Sequence, residues 1–369
     1  MRNLAHVLSC AAAGLLLSFP SAVAQKNSPP AQSDARNSAL AAADKADSEM
    51  RFAEAEAHYR AELQASEASC DEERLASALH SLADFLRRMG RYAESEPLFR
   101  RSLALREKLH GAASREVAGS LNSLAALLGH MGRYAEALPL AERSAAIRER
   151  LFGPDSTLLA QSLNNLSTLR RALGDFATAE EDLRRALAIN VKALGAEHAV
   201  VAADSNNLAL VLRSTGRDQE AESLLRRALQ IREKVNGRNH PDVAASLNNL
   251  AALLSERGET LQAEALIERA LAIFKKSFGP EHPQVGNTLN SQAMNYLAQN
   301  RPDRAEAPAR RALAIFEKTL GPSHPHYAAM LVNCAGVLKR LGKNKEAAEL
   351  EARAARIRGE PASVVIKNK

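Results

Sequence analysis

Leu247-Asn248-Asn249-Leu250 is one member of a series. The same signature stands at Leu121-Asn122-Ser123-Leu124, Leu163-Asn164-Asn165-Leu166 and Ser205-Asn206-Asn207-Leu208, and more weakly at Leu289-Asn290-Ser291-Gln292. Successive members lie 42 residues apart, and the spacing reaches back to Leu79-His80-Ser81-Leu82 and on to Leu331-Val332-Asn333-Cys334. A second marker keeps the same period: Gly90, Gly132, Gly174, Gly216 and Gly258, then Asn300, then Gly342. A third runs from Gly111 through Gly153, Gly195, Gly237 and Gly279 to Gly321. Three markers at one period describe an array of stacked units, because each unit is too small to bury its own apolar face.

Residues 114–153 show what one unit contains. Leu121, Leu124, Ala125 and Leu128 fall at i, i+3, i+4 and i+7, one stripe of an α-helix. Gly132 interrupts it with a residue suited to a left-handed cap. Ala137, Leu140, Ala141, Ser144, Ile147 and Leu151 then mark a second helix, which Gly153-Pro154 ends. Tyr92, Tyr134 and Phe176 follow the turn glycine by two residues and are expected between the helices. Pro241, Pro283 and Pro325 read as first helical residues, where the missing N–H costs nothing, so the preceding histidines fall near N-caps.

With these residues in view, the unit resembles a tetratricopeptide repeat of the 42-residue form found in kinesin light chains and many bacterial proteins. The matching pieces are Leu247-Asn248-Asn249-Leu250-Ala251, Gly132-Arg133-Tyr134-Ala135-Glu136-Ala137-Leu138, Arg227-Ala228-Leu229-Gln230-Ile231-Arg232-Glu233-Lys234 and Gly279-Pro280-Glu281-His282-Pro283. The resemblance covers roughly residues 73–358 and implies an all-α, right-handed superhelical solenoid of antiparallel helix pairs. It also implies a concave groove, lined by the first helices, that takes an extended peptide. Nothing matches the non-repeat parts of a kinesin light chain, so cargo transport is not carried over.

The ends read differently. Arg2, an apolar stretch from Leu4 to Phe19 and Ala22-Val23-Ala24 make residues 1–24 an export signal cleaved before Gln25. A lipid-modified Cys10 is the rival reading. The apolar stretch is too short for a transmembrane helix, and no second candidate exists. Residues 25–36 form a polar linker with Pro29-Pro30, and 37–70 a degenerate capping repeat in which Arg51-Phe52-Ala53-Glu54-Ala55 echoes Arg91-Tyr92-Ala93-Glu94-Ser95. Seven repeats fill 71–358, the last one short, and 359–369 is a tail. The expected location is the bacterial periplasm or the exterior.

Composition narrows function. The formal charge is +6, and loss of Arg2 with the signal leaves +5, a mild excess spread among many acids. There is no tryptophan and few aromatics, so stacking platforms for nucleic acid are missing. Cys70 and Cys334 lie far apart in an elongated array, which disfavours an internal disulfide. His198, His240, His282 and His324 form a tempting row, but members one repeat apart stand roughly 10 Å from each other. Zinc requires ligand nitrogens about 2 Å away, so a role at helix starts is favoured and neither metal nor cofactor is expected. Arg184-Arg185, Arg226-Arg227 and Arg310-Arg311 read as a solvated outer face paired to acids four residues away.

The candidate binding residues are Asn122, Asn164, Asn206, Asn248 and Asn290, about 100° around from the buried stripe. Amides at this position are expected to grip a peptide backbone along the concave face. Arg171 and Arg213 are expected to add carboxylate contacts, and Thr168, Leu210 and Met294 to read side chains. The rival role for the asparagines is bonding between neighbouring helices. No catalytic constellation emerges. The expected function is a non-enzymatic scaffold for a protein or peptide partner, the alternative an assembly component of an envelope complex that self-associates.

Overall fold

The structure is a computed structural model that describes residues 38–48, 51–322 and 324–358. The signal, the 25–36 linker and the 359–369 tail expected from the sequence lie outside the described residues. Among those described, all regular structure is helical: α1 Ser38–Ser48, α2 Phe52–Glu67, α3 Glu72–Arg88, α4 Tyr92–His110, α5 Arg115–His130, α6 Tyr134–Phe152, α7 Thr157–Ala172 and α8 Phe176–Leu194. There follow α9 Ala199–Ser214, α10 Asp218–Asn236, α11 Pro241–Glu256, α12 Thr260–Phe278, α13 Pro283–Ala298, α14 Pro302–Leu320, α15 Pro325–Arg340 and α16 Asn344–Arg358. The described residues up to Asp175 form one compact unit, and those from Phe176 onward a second.

Local chemistry sets the element boundaries. At the end of α5, Gly132 adopts φ 75°, and the Arg133 N–H bonds the Leu128 carbonyl at 2.9 Å, closing a left-handed cap. Asn300 takes φ 57° at the corresponding place, the one non-glycine among the described residues with positive φ. Asparagine tolerates that region better than other side chains. In the first unit Asp71, Ser114 and Ser156 cap α3, α5 and α7 through their side-chain oxygens. In the second, His198, His240, His282 and His324 cap α9, α11, α13 and α15, each Nδ1 accepting a backbone N–H two residues on at 3.0–3.2 Å. The histidine row is thus a row of caps, and Pro241, Pro283 and Pro325 follow it at the helix starts.

Within each unit every helix packs on its sequence neighbours, and first helices also meet the first helices of adjacent repeats. The alanine columns allow this closeness: Ala125 and Ala137 in the first unit, and Ala209, Ala221, Ala251 and Ala263 in the second, are fully buried. Leu121, Leu124 and Leu128 are buried as the periodicity requires. Leu151 departs from it: expected on the apolar stripe of α6, it is 45% exposed in the last turn of the helix. Tyr92 and Tyr134 are half-buried, with Tyr92 stacked on His130 at 5.5 Å between ring centroids.

Candidate functional site

The five asparagines singled out by the sequence do not line an open wall. Asn122, Asn164, Asn206, Asn248 and Asn290 are between 0% and 6% exposed. First helices of adjacent repeats lie close enough to cover a residue that stands 100° off the core stripe in an isolated helix, and this corrects the expectation that it faces solvent. The amides of Asn122, Asn164, Asn206 and Asn290 are engaged inside. Asn165 Nδ2 donates to Asn122 Oδ1 at 2.8 Å, and Asn333 Nδ2 to Asn290 Oδ1 at 3.0 Å, each bond joining one repeat to the next. Asn164 Nδ2 donates to the Ala160 carbonyl in its own helix.

Two rungs of this ladder are open. Asn206 turns its Nδ2 to Ser246 Oγ at 2.9 Å, which leaves Asn206 Oδ1 and Asn249 Nδ2 both buried and unpaired. Asn248 Oδ1 is also unpaired, for Ser291 stands where another repeat has asparagine and its hydroxyl bonds the Asn287 carbonyl. Unpaired buried amide atoms cost stability: Asn206 Oδ1, Asn248 Oδ1 and Asn249 Nδ2 lie at the open rungs, and Asn165 Oδ1 at a closed one.

A second column, which the sequence reading missed, feeds the ladder from the second helices. Arg106, Arg148, Asn190, Arg232, Phe274 and Phe316 recur at 42 residues, and so do Ser120, Ser162, Asp204, Ser246, Thr288 and Met330 on the first helices. The two columns change together. Arg106 Nη1 donates to Ser120 Oγ at 2.8 Å, and the same bond is 3.0 Å for Arg148 with Ser162 and for Arg232 with Ser246. Where the second helix carries Asn190, its amide meets Asp204 Oδ2 at 2.8 Å. Where it carries Phe274, Thr288 returns its hydroxyl to its own helix at the Gln284 carbonyl. Reading one 42-residue column against the other in the sequence would have exposed this pairing.

The predicted arginines are placed as follows. Arg213 is nearly covered, and its Nε lies 3.5 Å from Glu256 Oε2, so a carboxylate already holds it. Arg171 is half-buried, close enough to Tyr134 for its charge to oppose the rise that burial imposes on the phenol pKa. Thr168 is half-buried with its hydroxyl on the Asn164 carbonyl, Leu210 is buried, and Met294 keeps partial exposure.

The outer face carries closed four-member ion-pair rings. In the first unit Arg100 bridges Glu96 and Glu136, while Arg133 bridges the same two acids from the next turn, at 2.5–2.8 Å. In the second, Arg184 and Arg217 do likewise with Glu180 and Glu220 at 2.5–2.8 Å. The turns Arg133-Tyr134-Ala135-Glu136 and Arg217-Asp218-Gln219-Glu220 thus clip neighbouring repeats electrostatically. Arg226 and Arg310 pair with acids four residues earlier, as the outer-face reading requires. Among the described residues no group of three or more His, Cys, Asp or Glu could hold a metal ion, and no helix is long and apolar enough to cross a membrane.

Family models for the tetratricopeptide repeat match residues 75–116, 116–190, 199–276 and 252–318. The chain belongs to the tetratricopeptide repeat family. This fold is generally a non-enzymatic scaffold for protein–protein interaction. No curated protein matches the chain. Among solved structures it is similar to aspartyl phosphate phosphatase F from Bacillus subtilis, at 12% identity over 90% of this chain and 96% of that one with a TM-score of 0.57. It is also similar to the apo form of RapI, at 14% identity over 77% and 97% with a TM-score of 0.56. A third is BtubC from P. vanneervenii, at 26% identity over 61% and 91% with a TM-score of 0.49. At 12% and 14% identity the first two likenesses concern the fold alone.

Proposed function

We propose that this tetratricopeptide repeat protein is an exported scaffold that takes a peptide or protein segment on the face of its first helices. The observation that carries the reading is a contrast between two columns of the same helices. The junction-forming asparagine is kept in five successive repeats, whereas the residue one turn on changes from Ala126 and Thr168 to Leu210, Ala252 and Met294. Ala126 and Leu210 are buried, but the partly exposed members of that column, Thr168, Ala252 and Met294, differ from one another above a constant buried frame, as selective recognition of side chains requires. The asparagines then hold the frame, and Thr168, Arg171 and Met294 meet the partner.

Affinity capture from an envelope extract of the source organism tests this. Thr168→Glu and Met294→Glu are expected to abolish capture of the partner while melting remains cooperative. Capture unchanged by both substitutions would place the partner elsewhere. N-terminal sequencing of protein from the envelope fraction is expected to begin at Gln25; full-length chain recovered from the cytoplasm would defeat export.

A specific observation favours the self-association reading as a second possibility. Leu109 and Leu151 in the first unit and Val235 in the second are 39–52% exposed, at equivalent positions near second-helix ends. Repeated exposed apolar residues suit lateral contact with another copy. Light scattering separates the readings: a mass that stays monomeric across concentration excludes assembly through these residues.

A further inference from the structure

Arg148 is 6% exposed and has no acidic partner. Its Nη1 is heavily used, donating to the Leu158 carbonyl at 2.7 Å, Gln161 Oε1 at 3.0 Å and Ser162 Oγ at 3.0 Å. Its Nε and Nη2 donate to nothing in the protein, yet neither is among the fully buried unpaired atoms, so that edge still meets solvent. The charge next to it is another cation: burial first, and then Arg115, bring the Arg148 pKa down to about 10. Arg115 itself is exposed, its guanidinium 5.7 Å from the centre of the Phe152 ring. Gln161, anchored through Oε1, keeps its Nε2 donor unspent.

A buried guanidinium without a counter-charge is costly to keep. Here one end is locked in place by three acceptors while the other presents two parallel N–H groups, the edge that binds an oxyanion in a bidentate fork. We propose that the Nε–Nη2 edge of Arg148, with Arg115 and the Gln161 amide beside it, is a receptor for an oxyanion on an incoming ligand, foremost a carboxylate of a polypeptide segment. The source of the oxyanion rests on the scaffold reading above; the site does not. The first helices supply the wall and the second helix supplies the charge from beneath.

The second unit offers an internal comparison. Arg232 is anchored the same way, Nη1 donating to the Asp242 carbonyl at 2.9 Å and to Ser246 Oγ at 3.0 Å, with Nε and Nη2 again unused by the protein. It lacks the second cation and the amide, for Ala199 and Ala245 stand where Arg115's successor in register and Gln161 would be. The Asp242 charge also offsets its own. Arg232 is therefore the weaker site.

Arginine Nε–H NMR signals of the full chain read the site without any partner. Sodium acetate, sodium phosphate and the blocked tripeptide Ala-Glu-Ala are titrated against sodium chloride at equal ionic strength. The expected result is a saturable shift of the Arg148 signal with acetate and with the tripeptide, weaker at Arg232 and absent with chloride. Arg115→Gln, at an exposed position, is expected to weaken acetate binding about three-fold. Arg148→Lys keeps the charge and loses the fork, and is expected to weaken binding about ten-fold. A response to phosphate alone overturns the carboxylate assignment, and an Arg148 response no larger than that to chloride overturns the site. Should Arg148→Lys fail to fold, the native titration and Arg115→Gln still decide. Acetate binding without capture of any partner would leave the site standing and defeat the scaffold reading instead.

Discussion

The unit ending at Asp175 and the unit beginning at Phe176 place different chemistry on the same 42-residue frame. In the first, helix starts are capped by Asp71, Ser114 and Ser156; in the second, by four imidazoles. In the first, Arg106 and Arg148 occupy the buried second-helix column; in the second that column runs Asn190, Arg232, Phe274 and Phe316. The Asn122–Asn165 rung is closed, whereas the Asn206 and Asn248 rungs have lost their amide partners. In the second-helix column the residue across the junction changes as well: Ser162 meets Arg148, Asp204 meets Asn190, and Thr288 stands in register with Phe274. Gly286 shows the extent of this: a Cβ there would stand 2.9 Å from the Phe316 ring, and in the first unit the same column holds Ala118 and Ala160. A repeat array keeps its geometry by matching pairs, not by keeping residues.

The largest effect is expected where the second unit has become apolar. Phe316→Ala should cost about 3–5 kcal/mol, read by urea unfolding, with hydrogen-exchange protection lost around α13–α15 and kept in the first unit. Uniform loss along the chain would break the idea that each unit depends on its own pairs. Next come the rungs. Asn122→Ala leaves the Asn165 donor buried without its acceptor and should cost about 1–3 kcal/mol, whereas Asn248→Ala, whose Oδ1 already lacks a partner, should cost clearly less. Equal losses in the two variants would erase the difference between closed and open rungs.

The caps give an acid test. Burial holds the His282 pKa down at about 4, against 6.5 in the unfolded chain, so the folded ring stays neutral and its Nδ1 accepts the Gln284 N–H. Stability from this group is complete above 6.5 and is lost as pH falls from 6.5 toward 4, because the unfolded chain takes up the proton first. His282→Ser, which copies the cap of the first unit, should flatten the acid dependence of melting in α13. An unchanged acid profile would show that the imidazole cap is not what titrates. The smallest effect belongs to the outer rings: Arg133→Ala should cost about 1 kcal/mol or less, shrinking further in high salt. A larger, salt-independent loss would mean that Arg133 packs more than it pairs.

The helix hairpins, their 42-residue stacking, the glycine turns, the proline starts and the histidine caps were legible in the sequence. Each is fixed by residues within one or two turns of each other: a positive φ for Gly132 or Asn300, a free N–H for His240 to accept. The role of Asn206 was not legible in this way. A helical wheel places it off the apolar stripe, yet an adjacent first helix covers it completely. Burial of that kind depends on how closely a neighbour approaches, which no single helix encodes. The guanidinium of Arg148 makes the same point from the other side. In the sequence it is one charge among many on a long helix; in the fold it is buried, anchored at one end and open at the other. Periodicity alone settled the repeat architecture, because local sterics and apolar spacing dictate it. Only tertiary packing decided which polar groups hold the stack together and which are left unpaired, because desolvation and hydrogen-bond geometry arise between repeats.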